Sequence, residues 1–207
     1  YMCGIGGFLL NSVSFQKNPQ LILNSMSNIL KSRGPDNEGF WKNKKKGIYL
    51  FHRRLSILDL SNMGVQPMIS QNKRYAISYN GEVYNYNELS EELKSYGIKF
   101  KSETDTEVIL EGISFWGIEK TLKKLIGMFA IIVWDSKLNK LFLIRDRLGI
   151  KPLYWGIFNN NVIFGSTMDS LLCFPNLSKQ IDQESLALYL SYGYVPSNKG
   201  IYKNINK

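Results

Sequence analysis

Short apolar runs, each closed by turn residues, constrain this chain more than any other feature. Residues 75–79, then Asn80-Gly81, then Val83-Tyr84 predict a strand, a tight turn and a second strand. Residues 128–134 and 141–145 predict a hairpin across 135–140. Residues 153–158 and 162–164 predict another, turning on Asn159-Asn160-Asn161. Residues 38–41 and 48–51 flank a lysine turn, and residues 4–10 read as a first strand.

Helical spacing interrupts these hairpins. Asn18-Pro19 supplies an N-cap and a first-turn proline; Ile22, Met26, Ile29 and Leu30 follow on one face, and Gly34 closes the helix. Leu89, Leu93 and Tyr96 mark a second helix ended by Gly97. Thr104-Asp105-Thr106-Glu107 reads as a capping box opening a third, with Ile109, Ile113 and Trp116 on one face. Two weaker helices fall near 168–173 and 184–190. Strand–helix–strand alternation is not sustained, so the predicted class is α+β in layers rather than parallel α/β.

At 207 residues the chain suits one sizeable domain, and 44% apolar residues is an ordinary globular share. No apolar run has membrane-spanning length. Two cysteines, Cys3 and Cys173, make no disulfide framework, so a reducing, cytoplasmic compartment is the default. Cys173 sits among Leu171, Leu172 and Phe174 and reads as a buried core thiol. The formal charge of +9 raises nucleic-acid binding. Its one tight cluster, Lys42 with Lys44, Lys45 and Lys46, falls at a hairpin tip, and no aromatic–basic recognition pattern accompanies it.

Chemistry concentrates at Cys3. It follows Met2, and removal of that methionine would leave one residue with both a thiol and a free α-amine. The amine titrates near ~7.7–8 and a thiol near ~8.5, so a proton passes between them at little cost at neutral pH. Tyr1 ahead of Met2 reads as an expression remnant, and an amide nitrogen at Cys3 would leave this form inactive. The lone histidine, His52, reads as structural. Neither zinc-ligand spacing nor a phosphate-cradling glycine loop is present.

Six segments extend the case: Met2-Cys3-Gly4-Ile5-Gly6-Gly7, Arg33-Gly34-Pro35-Asp36, His52-Arg53-Arg54-Leu55-Ser56-Ile57-Leu58-Asp59, Asn80-Gly81-Glu82-Val83-Tyr84-Asn85, Thr104-Asp105-Thr106-Glu107 and the run from Arg145 to Tyr154. In this order they closely resemble the glutaminase domain of glutamine-hydrolysing asparagine synthetases, class II glutamine amidotransferases within the N-terminal nucleophile hydrolases. The resemblance covers nearly the whole chain; Gln66-Pro67 and Gly127-Met128-Phe129-Ala130 add to it.

The resemblance implies a four-layer αββα sandwich of two antiparallel sheets. It places the glutaminase domain over residues 3–185 and the start of a connection to a C-terminal synthetase domain over 186–207. That domain would carry its own pyrophosphate loop and use ATP and Mg; the glutaminase domain would need neither cofactor nor metal. Expected partners are L-glutamine and the synthetase domain, and a homodimer is allowed. Cys3 would attack glutamine's amide and form a thioester. Asn80 and Gly81 would form the oxyanion hole, although Asn-Gly is also the commonest tight turn. Arg54 would grip the α-carboxylate, with Leu55, Ser56, Ile57 and Leu58 nearby. Asp105 and Glu82 would hold the α-ammonium. Arg33 and Asp36 would support the first strand, and Gly6 and Gly7 would let backbone approach the thioester.

Gly165-Ser166-Thr167-Met168-Asp169 departs from the family's Ser-Glu pattern, which bears on helix capping or domain contact. The simplest product is asparagine. Alternatives are a related amidotransferase acting on another carboxylate such as a sugar acid, and a non-catalytic docking domain of the same fold.

Overall fold

The structure is a computed structural model and describes residues 3–11, 17–55, 64–196 and 199–207. Among the described residues, ten strands form two sheets. The first has six strands in the order β10-β8-β9-β1-β3-β2: β1 (Gly4–Leu9), β2 (Asn37–Asn43), β3 (Ile48–Arg54), β8 (Tyr154–Phe158), β9 (Asn161–Gly165) and β10 (Ile205–Asn206). The second has four in the order β4-β5-β6-β7: β4 (Met68–Ile69), β5 (Tyr75–Val83), β6 (Gly127–Asp135) and β7 (Lys140–Arg145). Every pairing between these strands is antiparallel.

Alternation along the strands builds three cores from two sheets. Ile5, Ile48, Leu50, Ala76, Ala130, Ile132, Trp134 and Phe164 meet between the sheets. Their neighbours face outward. Phe8, Tyr49, Phe51 and Ile163 pack on α1 (Pro19–Ile29) and α5 (Met168–Leu171). Tyr75, Ile77, Tyr79, Ile131 and Val133 pack on α2 (Tyr86–Ser95), α3 (Asp105–Trp116) and α4 (Ile118–Lys124). The layers therefore run αββα. α6 (Gln183–Tyr192) follows, and β10 joins the edge of the first sheet with Ile205 opposite Gly156.

Most local expectations are met. Asn18 Oδ1 accepts from Gln20 N–H at 3.0 Å and Pro19 opens α1, but Leu23 is buried and Ile29 is exposed. Asn159 and Asn160 adopt positive φ between β8 and β9, which a tight hairpin requires. Lys44, Lys45 and Lys46 form an exposed 3₁₀ turn at the tip of β2 and β3, and Lys42 is exposed on β2. Thr167 Oγ1 accepts from Ser170 N–H at 3.4 Å, so α5 is capped without the family's glutamate.

Three readings are corrected. Asn80-Gly81 is not a turn: β5 runs unbroken from Tyr75 to Val83, pairing with β6 throughout. Gly81 is needed there because a Cβ would strike the backbone of Met128 and Phe129 across the ladder. The capping box is half formed. Thr104 Oγ1 accepts from Glu107 N–H at 3.3 Å, but the Glu107 carboxylate turns to the Lys101 and Ser102 N–H groups instead of Thr104. Gly6 and Gly7 are required by packing: a Cβ on Gly6 would meet the Phe51 ring, and one on Gly7 the Tyr49 carbonyl. Cys173 is half-buried at the edge of its core. Near the end of the chain, Ile205–Asn206 forms β10.

Candidate active site

Cys3 immediately precedes β1 and shares the parity of Ile5, which faces the space between the sheets. Its position is held from two sides. Arg33 Nε donates to the Cys3 carbonyl at 3.4 Å, while Ile5 exchanges bonds with Ser166: N–H to Oγ at 3.0 Å, and Ser166 N–H to the Ile5 carbonyl at 2.9 Å. Asp36 N–H donates to the Arg54 carbonyl at 3.1 Å, so the 33–36 loop secures both β1 and the end of β3. Cys3 Sγ accepts from Leu55 N–H at 3.3 Å and donates to the Leu55 carbonyl at 3.7 Å.

β3 sorts the two arginines by alternation. Arg53 points to α1, where Nε donates to Ser27 Oγ at 2.8 Å and Nη2 to Asn28 Oδ1 at 2.8 Å, with an ion pair to Glu38. Arg54 points the other way, into a cavity of ≈ 100 Å³ that Cys3, Leu55, Gly81, Glu82 and Asp105 also line. Gly64 matters here, because a Cβ would collide with the Arg54 guanidinium. His52 is 1% exposed, and its Nε2 lies 3.1 Å from the Tyr79 carbonyl. Burial pushes its pKa down to about 3, outweighing that hydrogen bond, so it is a neutral strut between the sheets.

β5 supplies the opposite wall. Ser78 Oγ donates to the Phe51 carbonyl at 3.0 Å, showing that its even positions face β3. Asn80 shares that parity, is 2% exposed, and its Nδ2 has no hydrogen-bond partner. The odd positions turn their N–H groups toward the open edge beyond β4. Tyr79 N–H donates to Gln66 Oε1 at 2.7 Å and Val83 N–H to Asp105 Oδ2 at 3.1 Å. Gly81 N–H lies between these on the same edge. Its cross-strand partner Phe129 commits both its N–H and its carbonyl to Asp146.

Asp105 opens α3 under the Thr104 cap, and its Oδ2 also accepts from the Tyr79 hydroxyl at 2.6 Å. Burial raises its pKa, while the bonds from Tyr79 and Val83 pull it back. Burial likewise raises the Cys3 thiol, opposed by the Leu55 hydrogen bond and by Arg54. The resting sulfur is thus a thiol that needs a base.

Of the residues singled out from sequence, Cys3, Arg54, Leu55, Gly81, Glu82 and Asp105 share the cavity. Asn80 lies beside Gly81 in β5; Ser56, Ile57 and Leu58 lie outside the described residues. Sequence reasoning assigned no role in the site to Gly64, Gln66, Tyr79, Thr104 or Thr106, which also line it. Tyr79 was discoverable from its i, i+2 relation to Gly81 once β5 was read as continuous. Larger cavities of ≈ 430 and ≈ 490 Å³ lie elsewhere, and neither is lined by a cysteine or a histidine. Among the described residues no group of three His, Cys, Asp or Glu is placed to hold a metal ion.

Residues 2–207 match the family model described as "Glutamine amidotransferase domain". The chain belongs to that family. Across its full length it is 36% identical to asparagine synthetase [glutamine-hydrolyzing] 1 of Bacillus subtilis, of which it covers 32%. It is 37% identical to putative asparagine synthetase [glutamine-hydrolyzing] 2 of Methanocaldococcus jannaschii, of which it covers 42%. This glutamine amidotransferase domain thus spans well under half of those curated relatives. Among solved structures it is similar to glutamine phosphoribosylpyrophosphate amidotransferase from B. subtilis. The TM-score is 0.69 and the identity 20%, over 83% of this chain and 43% of that one. That likeness shows the fold, the αββα sandwich described above. Among the described residues no helix is long and apolar enough to cross a membrane.

Proposed function

We propose that this domain hydrolyses L-glutamine to glutamate and ammonia through a thioester on Cys3, and that the ammonia serves a synthetase domain. The observation that carries the reading is an unspent buried donor on β5, beside a glycine that lines the cavity. Asn80 Nδ2 is buried without a partner, and the next residue, Gly81, lines the cavity together with Cys3. A buried amide left unmatched costs about 1–3 kcal/mol, and a transient oxyanion would repay it.

The proposed steps draw on the same residues. In a chain beginning at Cys3, the α-amine takes the thiol proton as sulfur attacks the glutamine amide carbon. Asn80 and Gly81 donate to the oxyanion. The amine returns the proton to the leaving nitrogen, ammonia departs, and water cleaves the γ-glutamyl thioester. Arg54 holds the substrate's α-carboxylate, with Leu55 beside it and Ser56, Ile57 and Leu58 following; Asp105 and Glu82 take the α-ammonium. ATP and Mg would belong to the synthetase domain, and no step here runs through them.

Ammonia release from glutamine tests this. The chain beginning at Cys3 is expected to be active and Cys3→Ala inactive. Asn80→Ala should lose roughly 10²–10³ in kcat. Wild-type kcat in Asn80→Ala would overturn the oxyanion assignment. The acceptor reading, asparagine from aspartate, draws on the names of the curated relatives. It is tested in the longer protein given glutamine, aspartate, ATP and Mg. Glutamate formed without asparagine would redirect it to another carboxylate such as a sugar acid.

A further inference from the structure

We propose that Tyr79 is a positioning residue for substrate selection: its phenol fixes Asp105 so that one carboxylate oxygen is presented to the α-ammonium of glutamine. The inference rests on the glutaminase reading above. Asp105 Oδ2 already accepts two hydrogen bonds, from the Tyr79 hydroxyl at 2.6 Å and from Val83 N–H at 3.1 Å. The Thr106 N–H also bonds the carboxylate, and neither the Tyr79 nor the Val83 bond uses Oδ1, the oxygen offered to a cation. Both side chains line the Cys3 cavity and are almost fully buried, 3% exposed for Tyr79 and 4% for Asp105.

The pair is braced by a second bridge between the same two elements. Gln66 Oε1 accepts from Tyr79 N–H at 2.7 Å, and Gln66 Nε2 donates to Thr106 Oγ1 at 3.0 Å. β5 and the first turn of α3 are therefore tied twice, so the phenol and the carboxylate hold their spacing.

Charge gives the arrangement its use. A buried carboxyl that takes up a proton loses its attraction for an ammonium. Burial pushes Asp105 in that direction, and the Tyr79 hydrogen bond is the largest opposing influence. The phenol stays a donor, because burial and the adjacent carboxylate push its own pKa well up. A substrate without an α-amine would leave Asp105 buried and uncompensated, and a site built this way rejects such a molecule strongly.

The test compares glutamine with its des-amino analogue, 5-amino-5-oxopentanoate, in the chain beginning at Cys3. Ionisation of the Cys3 amine affects both substrates alike and cancels in the ratio of their kcat/KM values. That ratio should fall as pH drops through the Asp105 titration. In Tyr79→Phe the plateau ratio should be lower by about tenfold, with the fall moved up by about one pH unit. Should Tyr79→Phe fail to fold, 3,5-difluorotyrosine at position 79 supplies the opposite arm. It is a stronger donor and should move the fall to lower pH. An unshifted titration, or equal losses on both substrates, overturns the role of Tyr79. A starting chain that releases no ammonia from glutamine overturns the glutaminase reading with it.

Discussion

Arg53 and Arg54 are the same residue type one position apart, and β3 gives them opposite work. Arg54→Ala should weaken glutamine binding by about 1.5–3 kcal/mol, the worth of a hydrogen bond to a charged group, seen as a raised KM. Arg53→Ala should leave KM near its starting value and lower the melting temperature, since its partners are Ser27, Asn28 and Glu38. A reversal would place the wrong arginine in the site. His52 makes a residue-scale prediction with a sign. Its folded pKa of about 3 lies below the unfolded value near ~6.5. Between those values the unfolded chain binds a proton that the native state refuses, so stability falls as pH falls. The slope approaches about 1.4 kcal/mol per pH unit for one group. Asp105 and Glu111, both raised by burial, act in the opposite sense. Denaturant melts of His52→Gln from pH 6.5 downward should therefore show a shallower loss than the starting chain; equal slopes would remove His52 as the cause.

β5 is the element on which site and fold meet. Its even positions supply Asn80 to the space between the sheets, and its odd positions supply Tyr79 and the edge N–H groups. Gly81→Ala should destabilise the domain by about 1–3 kcal/mol, because the new Cβ would meet Phe129 Cα at 2.8 Å and the Tyr79 ring at 2.8 Å. An unchanged unfolding midpoint would show that β5 can shift to admit it. The same dipeptide shows where local reading stops. Asn-Gly signals a turn because both residues tolerate positive φ, and Asn159-Asn160 obeys that logic. At Asn80-Gly81 the backbone is extended, and the pair is there for a side-chain amide and a close ladder contact. Nothing within a few residues separates the two uses; pairing with β6, about fifty residues downstream, does. α3 divides in the same way. Its N-cap was legible at Thr104, but Glu107 turned to Lys101 and Ser102, a choice made by the preceding loop.

At the scale of the molecule, the three cores follow from alternation that any reader of the strands could tabulate. The strand order does not. β1 lies between β3 and β9, and the β9 contact joins residues more than 150 positions apart. That pairing, with Ser166 bonded to Ile5, is what seats Cys3 against Leu55 and opposite β5. The β2–β3, β6–β7 and β8–β9 hairpins, the αββα layering implied by resemblance and several of the cavity-lining residues were thus legible before the structure, whereas the Asn80-Gly81 hairpin was misread. The cavity that gathers them, and the Gln66–Tyr79–Asp105–Thr106 brace, needed the long-range pairing. The most direct test of the account is to acid-quench the chain beginning at Cys3 during turnover of glutamine and map the covalent adduct by peptide mass. A γ-glutamyl group on Cys3, absent when Tyr1-Met2 still precede it, is the predicted result. Ammonia release with the adduct on Cys173, or equal turnover by the extended chain, would contradict it.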